Sequence, residues 1–428
     1  MNMKVLVIGG GGREHALAWK LKQSPRVSKV YISPGNAGTA LEEGIQNISV
    51  TAIPDLINFA KNELIGFTIV GPEAPLAEGI VDAFRLEGLK IFGPNQQAIQ
   101  LEASKDYSKS FMRRHKIPTA EYEAFCDPVE AHKYLEKVGA PIVIKADGLA
   151  AGKGVKVVMT LPEAHAAVDS MLISNATGIA NKKILIEEFL QGEEVSFIVM
   201  TDGKNILPLA TSQDYKRLQE GNHGPNTGGM GAYSPAPIIT PELHEKIINK
   251  AIDPVIKGMA EEGKPYTGFL YAGLMIGKSG TINILEYNCR MGDPETQSIM
   301  LRLRSDLSIL VENAINETLD KVDADWDCRT ALGVVMAACG YPEMPRKGDT
   351  IHGLLELMSS SKLEEDLHIF HAGTKMGGKD NKEIVTAGGR VLCVTALGDS
   401  IKNARQRVYN ISERIYFDGK IMRSDIGL

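Results

Sequence analysis

The chain has 428 residues and a formal net charge of −6, from 47 lysines and arginines against 53 aspartates and glutamates. That length predicts roughly two to four domains, and the mildly acidic balance argues against nucleic acid or an anionic membrane as a partner. Five scattered cysteines without a Cys-x-x-Cys pair favour reduced thiols in the cytoplasm. The sequence starts with a predicted strand, and we expect no secretory signal there. The longest apolar run, Ala331–Cys339, is too short to cross a bilayer.

Residues 3–93 alternate between apolar strands and helices. The predicted strands are Met3–Ile8, Val30–Ser33, Thr68–Val70 and Lys90–Phe92, and the predicted helices are Glu14–Leu21, Leu56–Leu64 and Gly79–Leu86. This alternation predicts a parallel sheet with right-handed crossovers, which binds ligands at the carboxyl ends of its strands. Small and polar residues follow those ends, at Gly9–Arg13, Pro34–Asn36, Gly71–Glu73 and Gly93–Asn95.

A glycine-rich stretch, Gly9–His15, connects the first strand to the first helix. Glycines let the backbone approach an anion, and a helix N-terminus offers free N–H groups. The dinucleotide fingerprint of nicotinamide dehydrogenases would need a glycine at Glu14 and an acid after the second strand, which instead ends in Ser33-Pro-Gly-Asn36. We therefore predict a small phosphorylated sugar, with Arg13 on its phosphate and Glu14 on its hydroxyls or amine. A tight structural turn is the other interpretation.

The second region has a different pattern. A helix at Ala98–His115 precedes short strands at Pro141–Ala146, Val155–Met159, Lys183–Phe189 and Glu194–Met200, with a helix at Pro162–Leu172. A long helix, Pro241–Glu262, then leads to a hairpin of Phe269–Ile276 and Ile282–Asn288 that turns at Lys278-Ser-Gly280. The pattern predicts an α+β region rather than a repeat of the first.

A second glycine loop, Lys145–Val155, joins two of these strands. It lacks the spacing of a Walker A loop, so we interpret it as a hairpin lid over phosphates. Two lysines, Lys145 and Lys153, beside Gly152 indicate a polyphosphate ligand, and Lys105 at the head of a helix could add a third cation. An ordinary solvated turn is the alternative.

Acids end the strand Ile184–Phe189, and more acids follow it. Backbone groups of Glu187, Glu188, Phe189 and Leu190 could bind a nucleotide base, with Glu194 on its ribose. An acid-tipped edge strand would give the same composition.

The stretch His223–Pro235 contains four glycines and no hydrophobic period. A long loop of this kind is usually functional, and its N–H groups, including that of Gly229, could surround an acyl phosphate or a carboxylate. Asp214, a candidate catalytic residue, precedes it together with Lys216 and Arg217. A flexible linker is the alternative.

The most informative segment is Ile284–Thr296. Glu286 and Asn288 share one face of a predicted strand, and hard oxygen ligands at that spacing suit Mg²⁺. Arg290 would lie on the same face if the strand continues that far, and its guanidinium could bind a carboxylate or a phosphate. The neighbouring Cys289 raises the possibility of a catalytic thiol, but no histidine follows close by in the sequence.

The last region, about 327–428, predicts a small mixed domain. Its expected strands include Gly333–Ala337, Ile351–His352 and Arg390–Thr395, and its expected helix is Ser400–Ile415.

Together these segments resemble the ATP-grasp ligases. The resemblance rests on Gly9–His15, Ser33–Thr39, Ile69–Pro75, Ile142–Val155, His223–Pro237 and Glu286–Thr296, with Val334–Ala338 and Phe370–Thr374 near the end. It implies a multidomain α/β and α+β fold. The expected parts are a Rossmann-like substrate-binding domain (1–102), an ATP-grasp domain (103–326) with a mobile lid at about 120–190, and a small mixed α/β C-terminal domain (327–428).

More specifically, the chain resembles the members of this family that join glycine to 5-phosphoribosylamine in purine synthesis. The implied reaction uses ATP to form glycyl phosphate, from which the sugar amine displaces phosphate. The implied cofactors and partners are ATP, Mg²⁺ or Mn²⁺, the two small substrates, and a transient contact with the upstream amidotransferase.

The resemblance also implies roles for individual residues. Lys105, Lys145 and Glu187–Leu190 would bind ATP, with Glu194 at the ribose, and Glu286 and Asn288 would hold the metal. Arg290, Asp293 and Asp214 would act at the reacting groups. The sugar substrate would be bound by Gly11, Gly12, Arg13, Glu14, Gly35, Asn36, Pro72 and Glu73, and Gly229 would complete the substrate site.

Two positions depart from the family pattern. Leu274 stands where many ATP-grasp enzymes carry a further metal-binding acid, and Met291 stands where phenylalanine is expected. Three rival functions remain open at this point: an ATP-grasp enzyme acting on formate or bicarbonate, a nicotinamide dehydrogenase, and a nucleotide-sensing module without turnover.

Overall fold

A computed structural model describes residues 3–149, 154–173, 183–359, 366–378, 380 and 382–428. The N-terminal elements are β1 (Met3–Gly9), α1 (Gly12–Lys22), β2 (Val27–Pro34), α2 (Ala37–Leu41), β3 (Ile45–Asn47), α3 (Ile53–Asn62), β4 (Ile65–Val70), α4 (Glu73–Ala77), α5 (Ile80–Leu86) and β5 (Ile91–Phe92). The strands form one parallel sheet in the order β3-β2-β1-β4-β5. The predicted Rossmann-like arrangement is confirmed, although α2, β3 and α4 were not predicted.

The chain order of this sheet reverses between β1 and β4, so the loops that follow these two strands meet at the sheet's edge. Ligands of open α/β sheets bind at such a point. Residues Val5, Leu6 and Val7 of β1 are fully buried because helices cover both faces of the sheet. The sheet is thus a rigid support for the glycine loop.

Two short helices, α6 (Gln100–Ala103) and α7 (Lys105–Arg114), replace the single predicted helix Ala98–His115. Ser104 between them is extended, and its hydroxyl accepts a hydrogen bond from the Tyr107 N–H at 3.1 Å. A serine cap of this kind starts a new helix rather than continuing the old one. The break places Lys105 in the first turn of α7.

The next elements form a small subdomain, which we call the lid. They are β6 (Tyr122–Phe125), α8 (Pro128–Val138), β7 (Ile142–Ala146), β8 (Val155–Val158), α9 (Leu161–Leu172) and β9 (Ile184–Glu188). Their antiparallel sheet has the order β6-β9-β7-β8, and α8 and α9 cover it with a separate hydrophobic core that includes Leu135, Ile144 and Val168. The strand β6 and the helix α8 were not predicted.

The central elements are β10 (Glu193–Asp202), β11 (Ile206–Pro208), β12 (Gln213–Asp214), β13 (Arg217–Gln219), β14 (His223–Asn226), β15 (Gly231–Ser234), α10 (Pro241–Ile247), α11 (Asp253–Glu261), β16 (Thr267–Ile276), β17 (Ile282–Asn288), α12 (Glu295–Arg302) and α13 (Leu307–Ile315). The β16–β17 hairpin is confirmed and belongs to the sheet β11-β10-β16-β17. A π-helical segment, Ile248–Ile252, joins α10 to α11. Pro254 accounts for it, because proline has no N–H to continue the α-helical pattern.

The C-terminal elements are β18 (Thr330–Ala337), α14 (Leu354–Ser359), β19 (Leu367–His371), β20 (Thr374–Gly377), β21 (Glu383–Thr386), β22 (Arg390–Gly398) and α15 (Ile401–Ser412). The predicted strand Ile351–His352 is wrong, since His352 makes only an isolated bridge to Tyr416. The C-terminal sheet has the order β12-β15-β18-β22-β19 and therefore recruits two strands from before residue 327. Within the described residues, no helix combines the length and apolar character that a membrane span requires.

Candidate active site

A cleft of about 460 Å³ lies where the N-terminal sheet, the lid and the β16–β17 hairpin meet. Most of the predicted site residues line it: Arg13, Pro72, Glu73, Lys105, Lys145, Glu187, Glu188, Phe189, Leu190, Glu194, Asp214, Glu286, Asn288, Arg290 and Asp293. The fold therefore brings together residues that are far apart in the sequence.

The hairpin strand β17 presents Glu286 and Asn288 to this cleft. They alternate along the strand as predicted, and the Asn288 Nδ2 lies 3.4 Å from the Glu286 Oε1. On the neighbouring strand Gly273 is opposite Glu286, and the pairing shifts by one residue before Leu274. Leu274 is fully buried in the core, so no side chain faces Glu286 from directly across the hairpin.

Glu286 has an unusually favourable environment for its charge. Burial would raise its pKa, but the ammonium groups of Lys216, Lys145 and Lys105 lower the pKa of Glu286 to about 2. The Asn288 Oδ1 accepts a hydrogen bond from the Arg290 guanidinium at 3.3 Å. An ionised carboxylate and an amide oxygen on one strand face are a donor set that suits Mg²⁺ or Mn²⁺. By this chemistry the two side chains fit the implied metal.

Two buried lysines share one carboxylate at the lid side of the cleft. The Lys145 Nζ and the Lys109 Nζ each lie 2.9 Å from the Glu187 Oε2. Lys145 also donates to the Leu285 carbonyl oxygen at 3.1 Å, which links the lid to β17. Burial lowers the pKa of Lys109 to about 8 even though Glu187 opposes that shift. Glu187 thus holds the two cations in fixed positions.

Lys105 adds a third cation at the start of α7. Its Nζ donates to the Gly148 carbonyl oxygen at 2.8 Å, and its backbone N–H donates to the Asp147 carboxylate at 2.7 Å. The pairing of β7 with β8 confirms that the second glycine loop closes a hairpin. Gly152 and Lys153, both predicted to bind phosphate, lie outside the described residues.

Glu194 forms an ion pair with Lys216 at 3.2 Å on the opposite wall. Burial disfavours the Lys216 cation, but Asp214 and Glu194 raise the pKa of Lys216 well above its usual range. Burial raises the pKa of Asp214, against the effect of Lys216. Glu295 lies nearby and accepts a hydrogen bond from the Ser196 hydroxyl at 3.0 Å. This wall therefore carries several acids around one lysine.

Arg290 is held between two carboxylates. Its guanidinium lies 2.9 Å from Glu102 and 3.3 Å from Glu73. Glu102 also accepts a hydrogen bond from the Cys289 N–H at 2.6 Å. Although burial disfavours its charge, these acids raise the pKa of Arg290 further above its usual range, so it stays cationic.

Cys289 does not line the cleft. Its side chain is fully buried and its thiol faces the Ala98 carbonyl oxygen at 3.7 Å. Burial raises the pKa of this thiol well above its usual range. Because the thiolate is the nucleophilic form, the structure argues against a catalytic thiol at this position.

The guanidinium of Arg390, which begins β22 in the C-terminal region, lies 3.0 Å from the Asp293 carboxylate. Arg390 also donates to the carbonyl oxygens of Gly228 and Asp293. Burial would raise the pKa of Asp293, but Arg390 and Arg13 lower it. The Gly228 loop and the Asp293 segment, both predicted to act near the acyl phosphate or the substrates, are therefore joined through a C-terminal residue.

The remaining predicted substrate residues do not line this cleft; they are Gly11, Gly12, Glu14, Gly35, Asn36 and Gly229. Glu14 is buried, accepts from the Gly11 N–H at 2.7 Å and pairs with Arg13. A Cβ on Gly71 would come within 2.1 Å of the Glu14 carboxylate, so the absent side chain makes room for Glu14. Their roles in binding substrate stay predictions.

Two of these residues organise loops. The Asn36 amide donates to the carbonyl oxygens of Gly10 at 3.0 Å and His371 at 2.9 Å. Gly35 has a φ of +71°, and a Cβ there would lie 2.5 Å from Asn47. The Ser33–Asn36 turn is thus tied both to the first glycine loop and to the C-terminal region.

The predicted loop His223–Pro235 contains two strands that were not predicted. Its first part pairs with β13 as the strand β14, and Gly231–Ser234 pairs with β18 as β15. Between these strands, Thr227 and Gly228 line the cleft. Gly229 has a φ of +116° and packs against Pro294, which keeps this turn next to Asp293.

Sequence reasoning missed several lining residues, including Glu102, Lys109 and Arg390, and it gave no role to Glu295 in the segment Ile284–Thr296. Lys109 had a detectable signal, since it follows Lys105 by one helical turn and therefore shares its face. Lys216 was noticed but given no role, although it alternates with Asp214. No local sequence pattern marks Arg390 as a site residue, because only the tertiary fold brings it close to Asp293.

Comparison with known proteins gives a consistent result over the whole chain. Models of phosphoribosylglycinamide synthetase match residues 3–102 (N domain), 103–296 (ATP-grasp A domain) and 331–428 (C domain). The phosphoribosylamine–glycine ligase of Escherichia coli K12 is 59% identical over 428 residues, covering 99% of this chain and 98% of that protein. The Ralstonia nicotianae protein of the same name is 58% identical over 425 residues, covering 99% of both chains.

Solved structures give the same result for the fold. The phosphoribosylamine–glycine ligase of Thermotoga maritima superposes with a TM-score of 0.83 at 34% identity, covering 99% of this chain and all of that one. An N5-carboxyaminoimidazole synthase from Aspergillus clavatus, crystallised with ADP, has a TM-score of 0.65 at 15% identity over 96% of this chain and 98% of that one. The second match concerns the fold only.

Proposed function

This chain belongs to the phosphoribosylglycinamide synthetase family, and we propose that it joins glycine to 5-phosphoribosylamine in purine synthesis. ATP drives the reaction, and the products are glycinamide ribonucleotide, ADP and phosphate. The observation that supports this proposal best is the arrangement of the cleft, which has clustered lysines, an oxygen-donor pair and an arginine-rich end. Lysines suit a polyphosphate, an oxygen-donor pair suits the Mg²⁺ that accompanies it, and arginines suit the carboxylate of glycine and the phosphate of the sugar.

ATP occupies the lid side of the cleft. Lys105 and Lys145 neutralise its phosphates, and the backbone of Glu187–Leu190 contacts its base. Glu194 receives the ribose. Lys109 is a positioning residue, because its ammonium shares the Glu187 carboxylate with Lys145 at 2.9 Å.

Glu286 and Asn288 would hold Mg²⁺ or Mn²⁺. When bound, such an ion offsets the charge that develops on the phosphate oxygens during transfer. The low pKa of Glu286 keeps this carboxylate ionised at neutral pH. The three neighbouring lysines that lower it also attract the nucleotide.

The chemistry has two steps. The carboxylate of glycine attacks the γ-phosphorus, and ADP leaves to give glycyl phosphate. The amine of phosphoribosylamine then attacks the glycyl carbonyl carbon, and phosphate leaves as the carbon–nitrogen bond forms. No residue forms a covalent bond to substrate in this scheme, so positioning and charge stabilisation supply the catalysis.

The arginine-rich end orients the substrates for both steps. Arg290 faces the acyl phosphate, and the ion pairs with Glu73 and Glu102 fix its direction. Arg13 binds the phosphate of the sugar, and Asp293 and Asp214 are the acids that act near the reacting groups. A guanidinium held by two acids is already oriented before substrate arrives.

Two wider proposals complete this picture. The enzyme works in the cytoplasm, as its unpaired cysteines suggest. It makes transient contact with the amidotransferase that produces phosphoribosylamine, since that labile amine is best transferred without delay.

ADP formation tests the proposed function directly. The protein is given ATP, Mg²⁺, glycine and freshly generated phosphoribosylamine, and each substrate is left out in turn. We expect ADP only when both glycine and phosphoribosylamine are present. ADP formation with formate or bicarbonate in place of glycine would indicate the rival ATP-grasp function, and ATP binding without any ADP would indicate a sensing module.

A further inference from the structure

A second cluster of titratable side chains lies on the lid, outside the cleft described above. His132 and Glu136 are one helical turn apart on α8, and His165 and Asp169 are one turn apart on α9. None of the four lines the cleft. The proposed reaction uses none of them.

The contacts in this cluster run crosswise between the two helices. The Nδ1 atoms of His132 and His165 face each other at 2.6 Å. The Nε2 of His132 lies 2.9 Å from the carboxylate of Asp169, and the Nε2 of His165 lies 2.9 Å from that of Glu136. Each imidazole is therefore held by the acid of the opposite helix.

These contacts determine where the protons lie. An ionised carboxylate only accepts hydrogen bonds, so each Nε2 must carry a proton and donate it. A neutral imidazole then has its lone pair on Nδ1, and the two lone pairs point at each other. Two lone pairs at this distance repel unless a cation lies between them, either a shared proton or a metal ion.

We propose that His132 and His165 bind one divalent transition-metal ion through their Nδ1 atoms. Imidazole nitrogen is a preferred ligand of Zn²⁺, Co²⁺, Ni²⁺ and Cu²⁺, whereas Mg²⁺ prefers oxygen. A histidine that ligates a metal usually donates its other N–H to a carboxylate, which fixes the ring. Asp169 and Glu136 already make that contact with both rings.

The proposal requires a small movement of the rings. Zinc–nitrogen bonds are about 2.0–2.1 Å long, so two nitrogens on a tetrahedral ion lie about 3.3 Å apart. The rings must therefore separate by less than 1 Å from the present 2.6 Å. Both side chains are partly exposed, at 29% for His132 and 28% for His165, so they can adjust and water can complete the shell.

A second imidazole cluster shows why proton positions matter. His15, Glu42 and His368 bring three potential ligand atoms within 4.8 Å of one another. The Nδ1 of His15, however, accepts a hydrogen bond from the His371 N–H at 2.9 Å. The proton of a neutral His15 is then on Nε2, which faces Glu42 at 3.3 Å and has no lone pair for a metal. We place no metal ion there.

Zinc binding by the full-length protein tests the proposal. The wild type and the variants His132→Gln and His165→Gln are dialysed against micromolar Zn²⁺ with excess Mg²⁺, and bound zinc is counted. We expect each variant to bind one ion fewer than the wild type. His352→Gln is the matched control, because that exposed imidazole stacks on Tyr416 in the C-terminal region.

A further variant distinguishes the contribution of the carboxylates from that of the imidazole rings. Glu136→Gln keeps both imidazoles and should weaken zinc binding about tenfold, the lower end of the effect expected for a carboxylate behind a metal-bound histidine. Thermal unfolding with and without zinc provides an independent readout, in which the wild type and His352→Gln should gain in Tm at this site, Glu136→Gln should gain less, and the His132→Gln and His165→Gln variants should not gain. Equal zinc counts and equal Tm shifts in all these proteins would overturn the proposal and leave a proton-sharing pair.

Discussion

The guanidinium of Arg390 and the carboxylate of Asp293 form an ion pair of 3.0 Å that attaches the C-terminal sheet to the wall of the candidate active-site cleft. Arg390 also contacts the carbonyl oxygen of Gly228, so it fixes two loops that reach the cleft from different parts of the chain. The C-terminal region therefore contributes a residue to the candidate site.

Replacing Arg390 by alanine should lower kcat/KM by tenfold or more, about 1.4 kcal/mol or above in transition-state free energy. The reason is that Asp293 and the Gly228 turn lose their common anchor. Arg346→Ala is the control, since this arginine pairs with Asp349 and Asp418 at the surface. Equal kcat/KM values for Arg390→Ala and Arg346→Ala would show that the ion pair has no role in catalysis.

Glu286→Ala should abolish measurable turnover while the protein stays folded. The side chain lines the cleft and fills no core volume, so its loss removes a metal ligand without opening a cavity. Steady-state ADP release at limiting Mg²⁺, together with circular dichroism, measures both effects. Glu245→Ala, at an exposed position on α10, controls for the loss of one surface charge. Unchanged activity of Glu286→Ala at limiting Mg²⁺ would refute the metal assignment.

Arg13→Ala should raise the apparent KM for phosphoribosylamine far more than the KM for ATP. Its guanidinium contacts the Met291 carbonyl oxygen at 3.2 Å and lines the cleft from the N-terminal glycine loop, whereas the proposed ATP residues Lys145 and Glu187 belong to the lid. Arg26→Ala is a suitable control, because that arginine pairs with Glu312 at the surface. A rise of the same size in both KM values would place Arg13 in another subsite.

Lys109→Met should destabilise the protein by about 3 kcal/mol, the lower end for removing one partner of a buried ion pair, because Glu187 keeps the second cation, Lys145. Lys61→Met provides the contrast, since the exposed Lys61–Glu87 pair is worth about 1 kcal/mol or less. Urea unfolding of both variants gives the comparison. Similar losses in the two variants would mean that the buried pair contributes no more than a surface one.

Stability at acid pH should depend on Glu42. Burial would raise its pKa, but hydrogen bonds from His15 and His368 hold the pKa of Glu42 well below its ordinary value of 4.5. A carboxyl group whose pKa is depressed by folding contributes stability that is complete above pH 4.5 and is lost as the pH falls below it. Glu42→Gln should therefore lower Tm at pH 7, and the difference from wild type should shrink towards pH 3.

Glu43→Gln is the matched control for that experiment, because Glu43 is exposed. Its Tm should follow that of the wild type at every pH. A Tm difference between Glu42→Gln and the wild type that is the same at pH 7 and pH 3 would contradict the assignment.

Much of the fold was predictable because its signals are local. The alternation of apolar strands and helices in residues 3–93 correctly predicted the parallel sheet, and the Ile282–Asn288 period correctly placed Glu286 and Asn288 on one face. Local patterns failed where a single residue changes the backbone. Ser104 caps α7 and divides a predicted helix, and Pro254 introduces a π segment into another.

The rest depends on contacts between distant segments. The pairing of β15 with β18 carries the C-terminal sheet across the predicted boundary at residue 327, and no sequence pattern marks it. In the site, Lys109 lies on a helix and Glu187 on a distant strand. Their ion pair at 2.9 Å could not be predicted from either segment alone. Arg390 and Asp293 are likewise 97 residues apart in the chain.

The most direct test of the central claim is a crystal structure with a non-hydrolysable ATP analogue and Mn²⁺, with the metal located by its anomalous signal. We expect the triphosphate between the lid lysines and β17, with Mn²⁺ in contact with Glu286 and Asn288. A triphosphate bound elsewhere, with no anomalous peak at these two side chains, would contradict the account.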